Sequence, residues 1–181
     1  YSITKFGAEM EVWRASQEDV EVVIVNPGVI LGAGFWTTGS GKLFQQVYNS
    51  FKYYTEGVTG FVGVKDVVTA MILLMNSNIK NERFILVSEN KTYKELFFLI
   101  ADTFGKKRPG IKIKPWQTTL FWRFSSVITR FTGQEPLLSK YAAKSAHEVS
   151  EYSSQKIRET INFKFEKIAD VVKEVCHLYT K

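Results

Sequence analysis

The segment that most constrains the fold is an apolar, β-branched run near the N-terminus, Val20-Glu21-Val22-Val23-Ile24-Val25-Asn26. Nearly continuous apolar character, as opposed to strict alternation, is typical of a strand that is buried on both faces of a parallel sheet. Pro27-Gly28 follows at once and ends the run. Because such a strand needs helices on both faces of its sheet, the segment predicts an α/β protein.

Helical and strand patterns alternate along the rest of the chain. The first is a helix over residues 1–17, in which four apolar side chains recur at helical spacing and form one face. These four are Ile3, Phe6, Met10 and Trp13. The other predicted helices are Lys42–Phe51, Val67–Met75 with Asp66 as N-cap, Thr92–Phe104 with a Thr92/Glu95 capping box and Gly105 at its end, Trp116–Phe131, Ser154–Thr160 and Lys167–Tyr179. The other predicted strands are Gly60–Val64, Arg83–Ser88 and Ile111–Pro115, and Val29–Gly41 is predicted to be a glycine-rich loop.

This alternation predicts the α/β class with a partly parallel sheet. The alternating part covers residues 1–104, whereas residues 105–181 are mostly helical. We therefore predict an α/β domain over 1–104 and a smaller, mostly helical subdomain over 105–181. For the aromatic stripe of Trp116–Phe131, a place in the core of that subdomain is favoured over a lid on a substrate.

Composition excludes several classes of protein. The 181 residues include 24 Lys and Arg and 18 Asp and Glu, a formal charge of +6, with 45% hydrophobic residues, which is typical of a globular domain. Cys176 is the single cysteine, so no intramolecular disulfide can form; with two histidines beside it we expect no metal site and a cytoplasmic setting. No apolar run is long enough to span a membrane. We interpret the basic stretch Lys106-Lys107-Arg108 as a solvated loop, and expect neither nucleic acid nor a membrane as a partner.

The chain opens with residues that could carry chemistry, Tyr1-Ser2-Ile3-Thr4-Lys5. On a helix, a tyrosine and a lysine four apart share one face. A free phenol has a pKa of about 10, and a nearby ammonium group lowers that pKa because it stabilises the phenolate. Such a tyrosine can act as a general acid or base, which suits reduction of a carbonyl by hydride from a cofactor.

The spacing alone is weak evidence, because Tyr48/Lys52 and Tyr152/Lys156 repeat it. Context distinguishes the three pairs. Only the first pair lies on a predicted helix that leads directly into the buried strand. Parallel α/β sheets bind ligands at the carboxyl ends of their strands, so the loop after Val25 is where we expect a cofactor.

Four motifs together resemble the C-terminal half of an extended short-chain dehydrogenase/reductase, in the NAD-dependent epimerase/dehydratase group. The resemblance covers essentially the whole chain and is nearest to dihydroflavonol reductase-like members. The motifs are Tyr1-Ser2-Ile3-Thr4-Lys5 with Gly7-Ala8 and Glu9, Asn26-Pro27-Gly28-Val29-Ile30-Leu31-Gly32-Ala33-Gly34, Gly60-Phe61-Val62-Gly63-Val64-Lys65-Asp66-Val67-Val68, and Tyr152-Ser153-Ser154-Gln155-Lys156-Ile157 with Asn162-Phe163. They are similar, in order, to the family's catalytic helix, its proline-glycine loop after the sixth strand, a later strand and helix, and its closing segment.

The resemblance implies roles for particular residues. Tyr1 would be the proton donor or acceptor, and Lys5 would lower its pKa and hydrogen-bond the nicotinamide ribose of NAD or NADP. Residues Pro27, Gly28, Val29 and Ile30 would pack on the nicotinamide. Phe35, Trp36 and Lys42, in and after the glycine-rich loop, would face a small carbonyl or alcohol substrate, with loop packing as the alternative for the two aromatic residues.

The chain also departs from the family. No Gly-x-x-Gly-x-x-Gly follows a strand in these residues, and the first residue is Tyr1, not Met. We therefore expect that the dinucleotide-binding half is missing and that the 181 residues alone are inactive and bind NAD or NADP weakly. The strand over Val20–Val25 would then have an exposed edge, which predicts self-association; the parent enzyme could be a dimer.

Two alternatives to a carbonyl reductase stay open at this point. One is a nucleotide-sugar epimerase or dehydratase of the same fold, which would need basic side chains around the substrate diphosphate; Arg83, Lys42 and the Lys106 cluster are candidates. The other is a non-catalytic, nucleotide-sensing module.

Overall fold

The computed structural model describes residues 2–120 and 144–181. Tyr1 and the part of the predicted helix Trp116–Phe131 beyond residue 120 lie outside these ranges; residues 115–120 are helical. The helices are α1 Ser2–Ala15, α2 Gly41–Tyr48, α3 Val64–Met75, α4 Tyr93–Thr103, α5 Gln155–Ile161 and α6 Ile168–Tyr179. The strands are β1 Val23–Pro27, β2 Val29–Leu31, β3 Tyr53–Tyr54, β4 Val58–Gly63, β5 Glu82–Leu86, β6 Glu89–Thr92 and β7 Ile111–Lys112.

The strands form parallel pairs joined by helices, which confirms the predicted α/β class. β1 runs parallel to β5, from Val23 opposite Glu82 to Pro27 opposite Leu86. β2 runs parallel to β4, and β6 pairs with β4 in the antiparallel sense. β2 follows β1 after one residue, whereas the chain bends at Ser88 between β5 and β6, and β4 lies between β2 and β6. The sheet therefore splits at the carboxyl ends of β1 and β5.

Gly28 stands where the sheet splits. Its N–H donates to the Leu86 carbonyl over 3.0 Å, and a Cβ atom at this position would lie 2.4 Å from the Gly60 carbonyl oxygen. A distance that short is a clash with backbone, which cannot move aside as a flexible side chain could. Any side chain at Gly28 would push β4 away from the junction of β1 and β2.

Two clusters of buried side chains hold the layers together. One includes Phe44, Phe61 and Leu96 and joins α2, α4 and α6 to β2 and β4. The other includes Val62 and Phe84 and joins α3 and α5 to β4 and β5. Phe61 and Val62 point to opposite clusters because consecutive residues of a strand face opposite sides of its sheet.

Several local predictions are confirmed. Thr92 and Glu95 form the capping box, with the Glu95 N–H donating to Thr92 Oγ1 over 3.0 Å and the Thr92 N–H donating to Glu95 Oε2 over 2.7 Å. Gly105, with φ of +62°, follows α4 in the left-handed conformation that favours glycine.

Other predictions are wrong in detail. The predicted loop Val29–Gly41 begins with strand β2, because those residues pair with β4. Asp66 is not the N-cap of α3: that helix begins at Val64 with Gly63 as N-cap, and the Asp66 carboxylate accepts the Glu166 N–H over 3.0 Å. The predicted strand Ile111–Pro115 has only two paired residues, because its partner strand β3 is two residues long.

The prediction that the first strand is buried on both faces is also wrong. Residues Val23 to Asn26 are half-buried. Within the described ranges β1 pairs with β5 alone, so its other edge is open. The predicted apolar face of α1 is largely exposed as well: Ile3, Phe6 and Met10 all lie at the surface.

Candidate active site

Helix α1 is fixed on the β1–β5 sheet through the carboxylate of Glu9. Glu9 Oε2 accepts the Asn26 side-chain amide over 3.3 Å, and Glu9 Oε1 accepts the Arg83 guanidinium over 2.9 Å. The Trp13 indole N–H also points to Oε1, at 3.4 Å. Because Asn26 lies on β1 and Arg83 on β5, this one carboxylate joins the helix to both strands.

The position of Glu9 determines which side of α1 carries Lys5. Lys5 is four residues before Glu9, so the two side chains share one side of the helix. A short connection, residues 16–22, leads from α1 into β1, so the helix and the strand run in opposite directions. Lys5 is therefore about 6 Å further along the helix than Glu9, toward the carboxyl end of β1. Tyr1 precedes Lys5 by four residues in the sequence and lies outside the described residues.

The four predicted cofactor residues follow Asn26 directly. Pro27 and Ile30 expose apolar surface, whereas Gly28 and Val29 are half-buried at the splitting point of the sheet. The Ile30 carbonyl accepts the Ser40 hydroxyl, which closes the following loop back onto β2. Pro27 and Ile30 thus each leave apolar surface exposed near the carboxyl end of β1.

The three predicted substrate residues have different surroundings. Phe35 is 82% exposed. Trp36 packs edge-on against Tyr179, with ring centroids 4.7 Å apart. Lys42 lies in the first turn of α2 and is half-buried. Of the three, Phe35 presents the most surface to a ligand.

The charge of Glu9 is stabilised where it lies. The hydrogen bond from the Arg83 guanidinium, with those from Asn26 and Trp13, holds the pKa of the Glu9 carboxyl below its ordinary value of 4.5 although partial burial opposes ionisation. The negative charge of Glu9 thus lies on the side of α1 that also carries Lys5.

The attachment of α1 to the sheet uses residues for which the sequence did not predict this role, namely Glu9, Asn26 and Arg83. Glu9 could have been found from its spacing, since it continues the Tyr1/Lys5 series at four-residue intervals. Its contact with Arg83 spans 74 residues, and nothing in either local pattern points to the other residue.

The other two tyrosine–lysine pairs do not share a helix. Tyr48 is the last residue of α2, and its ring packs against Phe104, with Lys106 Nζ 4.7 Å from its centroid. Tyr152 precedes α5, and Lys156 forms an ion pair with Glu82. Neither pair therefore has the geometry that proton transfer by a tyrosine and a lysine on one face requires.

Two of the basic groups considered for a diphosphate, Arg83 and the Lys106 cluster, line different clefts. Arg83 is paired with Glu9, and it lines a cleft with Trp13 and Lys156. Lys106 lines a separate cleft near His177. Among residues 2–120 and 144–181, no three His, Cys, Asp or Glu side chains are grouped so that they could hold a metal ion, and no helix there is both long and apolar enough to cross a membrane.

The end of β5 is held by the segment that follows residue 150. The buried Ser154 hydroxyl donates to the Val87 carbonyl over 2.8 Å and accepts the Val87 N–H over 2.7 Å. The Ser88 hydroxyl donates to the Glu166 carbonyl over 2.5 Å. These contacts give the sequence motif around Tyr152–Phe163 a structural role: it closes the sheet on the β5 side.

The chain is similar to curated proteins over part of its length. It is 27% identical over 117 residues to sterol demethylase protein B of Methylococcus capsulatus, a match that covers 64% of this chain and 36% of that protein. It is 26% identical over 108 residues to cinnamoyl-CoA reductase 1 of Arabidopsis thaliana, covering 58% of this chain and 31% of that protein. A scan against protein-family models found no match.

Solved structures share the fold. A nucleoside-diphosphate-sugar epimerase from Pseudomonas aeruginosa superposes with a TM-score of 0.75 at 16% identity, covering 97% of this chain and 53% of that one. The dTDP-glucose 4,6-dehydratase of Bacillus anthracis, solved with NAD, gives 0.69 at 13% identity, covering 99% of this chain and 51% of that one. The chain thus spans about a third of these curated relatives and half of these structures. The resemblance to extended short-chain dehydrogenase/reductases is confirmed, and so is the Rossmann-type fold.

Proposed function

We propose that the protein to which these residues belong is an NAD(P)-dependent oxidoreductase that reduces a carbonyl group, or oxidises the corresponding alcohol, with Tyr1 and Lys5 as its proton-transfer pair. The observation that carries the proposal is the attachment of α1 to β1 through Glu9. Lys5 is one helical turn from Glu9, toward the carboxyl end of β1, where ligands of parallel α/β sheets bind.

The residues at that end fit a nicotinamide cofactor. The apolar surface of Pro27 and Ile30 suits one face of a nicotinamide ring, and the Lys5 ammonium group suits the hydroxyls of its ribose. When bound, NAD or NADP supplies or accepts the hydride. Relatives that share the fold have been solved with NAD and with NADPH, which supports either cofactor.

Residues of this chain carry out the proton transfer. The positive charge of Lys5 stabilises the phenolate of Tyr1 and so lowers the pKa of that phenol. The Tyr1 hydroxyl gives its proton to the oxygen of the carbonyl as that oxygen gains charge, or takes it back in the oxidative direction. Phe35 and Lys42 face the substrate from the loop and from α2, with Trp36 behind them against Tyr179.

A nucleotide-sugar epimerase or dehydratase is the second candidate, since solved enzymes of those kinds share the fold. A substrate diphosphate calls for converging basic side chains. Arg83 is occupied by Glu9, and Lys106 lines a different cleft, so carbonyl reduction is favoured. A nucleotide-sensing module is the third, and it would bind cofactor without turnover.

We also propose that the 181 residues alone bind the cofactor weakly and are inactive. The pyrophosphate of a dinucleotide binds a glycine-rich turn at a helix N-terminus, and no such turn follows a strand in this sequence.

Turnover by the full-length gene product tests the function. Oxidation of NADPH and NADH is followed at 340 nm with a cinnamoyl-CoA thioester and with aromatic ketones, and conversion of UDP-glucose is followed by chromatography of the sugar nucleotides. We expect turnover with a carbonyl substrate, and a loss of about 10²–10⁴-fold in kcat in Tyr1→Phe and in Lys5→Met.

Tyr152→Phe is the matched control, because that tyrosine has the same spacing to a lysine but no shared helix. It should retain the wild-type kcat. Turnover of the nucleotide sugar alone would favour the second candidate, and full activity in Tyr1→Phe would contradict the assigned pair.

A further part of the proposal is that the isolated chain self-associates. The open edge of β1 presents unpaired backbone groups, which another strand can pair with. Proline at Ile24, in the middle of that edge, should weaken an association that uses it. A monomer at all concentrations by light scattering would contradict this part.

A further inference from the structure

The loop that leads from β2 to α2 is folded back on its own end. It covers residues 32–40, and we call it the substrate loop because it contains Phe35, the predicted substrate residue with the most exposed surface. The Ser40 hydroxyl donates to the Ile30 carbonyl. A Cβ atom on Gly41, the first residue of α2, would lie 2.0 Å from the Phe35 carbonyl oxygen. The backbone at Phe35 therefore lies directly against the start of α2.

Phe35 and Trp36, two consecutive residues of the substrate loop, lie in opposite environments. The Phe35 side chain is 82% exposed, whereas Trp36 is half-buried and packs against the core cluster that joins α2, α4 and α6. On either side of the pair the backbone has positive φ, +136° at Gly34 and +56° at Gly39, conformations that glycine adopts readily. Because these glycines let the backbone turn, the packing of the Trp36 indole decides where Phe35 points.

Tyr179 supplies a contact for that indole from the far end of the chain. The centroids of the two rings are 4.7 Å apart, and the rings meet edge to face at 79°, an arrangement that is favourable for aromatic pairs. Tyr179 is the last residue of α6 and lies four residues after the buried Val175. It therefore continues the buried face of that helix as far as the substrate loop.

Two further rings hold Tyr179 in place. Its ring centroid is 4.9 Å from that of Tyr48 and 5.5 Å from that of Phe104, and the centroids of Tyr48 and Phe104 are 5.0 Å apart. Tyr48 is the last residue of α2, and Phe104 directly follows α4. The three rings thus join the ends of three helices, and Tyr179 connects this fixed part of the scaffold to Trp36.

We propose that Tyr179 is a positioning residue for the substrate: through Trp36 it holds the substrate loop so that Phe35 presents its ring to the substrate. The proposal rests on the proposed function, because it takes Phe35 to face a carbonyl compound. A ring at this position favours an aromatic group on the substrate over a small alkyl group. The last turn of α6 thereby sets a preference for aryl carbonyl compounds without touching them.

Steady-state kinetics of the full-length gene product with NADPH tests this role, with acetophenone as the aryl ketone and 2-butanone as the alkyl ketone. Tyr179→Ala should raise KM for acetophenone by about 2–10-fold, because the loop must then be ordered without one aromatic pair. It should leave kcat unchanged, and KM for 2-butanone should stay at the wild-type value. Tyr179→Phe keeps the ring and should retain both KM values. Leu178→Ala, at the exposed neighbouring residue, is the matched control and should have no effect.

A double-variant cycle tests whether Tyr179 acts through Trp36. Trp36→Ala removes the same contact from the loop side, so KM for acetophenone should rise as it does in Tyr179→Ala. The double variant should be no worse than the single variants, because only one contact is lost. Additive effects, an equal rise in KM for both ketones, or a rise in Leu178→Ala as large as in Tyr179→Ala would each overturn the proposal.

Hydrogen exchange separates failure of this proposal from failure of the proposed function. In the full-length protein, Tyr179→Ala should speed amide exchange in residues 32–40 several-fold and leave exchange in β1 and β5 unchanged. Loop exchange at the wild-type rate would overturn the proposal whether or not the protein reduces a ketone. Faster loop exchange in Tyr179→Ala, with no ketone turnover in the wild type, would contradict the proposed function and support the attachment of the loop to Tyr179.

Discussion

The segment that closes the sheet and the helix that carries Lys5 are attached to the sheet in different ways. The closing segment, residues 150–168, is attached through backbone groups and buried hydroxyls, such as Ser154 on Val87 at 2.7 and 2.8 Å. Helix α1 is attached through the charged Glu9, whose partner Arg83 has a side chain that is 55% exposed. One attachment is buried and largely neutral, and the other is ionic and open to water.

This difference in attachment distinguishes the scaffold of the molecule, which includes the closing segment, from the candidate site on α1. Buried, satisfied hydrogen bonds fix a unique arrangement, and their loss leaves polar groups without water or partners. Exposed ion pairs are weaker and sensitive to pH and salt. We infer that the splitting point of the sheet is rigid, whereas α1 opens at lower cost.

The largest expected effect is on the closing segment. Ser154→Ala leaves both the N–H and the carbonyl of Val87 without their buried partner, so we expect the free energy of unfolding to fall by about 2–4 kcal/mol. Chemical denaturation measures it. Ser153→Ala, at the exposed neighbouring serine, should change it by less than about 0.5 kcal/mol; equal effects would contradict the distinction between the two regions.

A smaller effect is expected on α1. Glu9→Gln keeps an acceptor for Asn26 but loses the ion pair with Arg83, and should cost about 0.5–1 kcal/mol. Hydrogen exchange should become several-fold faster in α1 and stay unchanged in the closing segment. Glu11→Gln, which removes an exposed ion pair with Arg14, is the control and should have little effect. Faster exchange throughout the molecule would show that the two regions open together.

The smallest effect is a difference in acid sensitivity. Because the pKa of Glu9 is lowered in the folded chain, its stabilising contribution is complete above its ordinary value of 4.5 and is lost as the pH falls through the lower, folded value. Two carboxyls outside the closing segment accept backbone N–H groups from it and act in opposite directions. Burial raises the pKa of Asp66, which adds stability as the pH falls. Burial also opposes ionisation of Glu89, but the hydrogen bonds from Lys91 and from the Ile168 N–H outweigh it and lower the pKa of that carboxyl. The stabilising contribution of Glu89 is therefore lost in acid.

We therefore expect α1 to loosen before the closing segment as the pH is lowered below 4.5. Hydrogen exchange, corrected for the intrinsic effect of pH on amide exchange, measures the order. Loosening of the closing segment first would contradict it, and Glu9→Gln should remove the acid sensitivity of α1.

Local signals in the sequence were sufficient for local structure. The Thr92/Glu95 capping box and the β-branched run of β1 were predictable because each depends on neighbours in the chain. Partners at long range were not. Asp66 was mistaken for an N-cap because its true partner, the Glu166 N–H, is 100 residues away.

The same limit applies to the candidate site. The spacing of Tyr1, Lys5 and Glu9 indicates a shared helix face. It does not indicate that Glu9 on this face bonds to Asn26 and Arg83. Helical periodicity predicted the apolar face of α1 correctly as a pattern, yet it cannot say what covers that face. The residue roles assigned to Tyr1, Phe35 and Lys42, and the division at residue 104, remain predictions.

The most direct test of the central claim is an NMR titration of the isotopically labelled 181-residue chain with NADPH and NADH. The account predicts weak binding, with shift changes at Lys5 and at the amides of Gly28 to Ile30, and none around Tyr48 and Lys106. Lys5→Met should remove those changes and leave the spectrum of the closing segment intact. Shift changes confined to other surfaces, or unaltered binding in Lys5→Met, would contradict a cofactor site at the carboxyl end of β1.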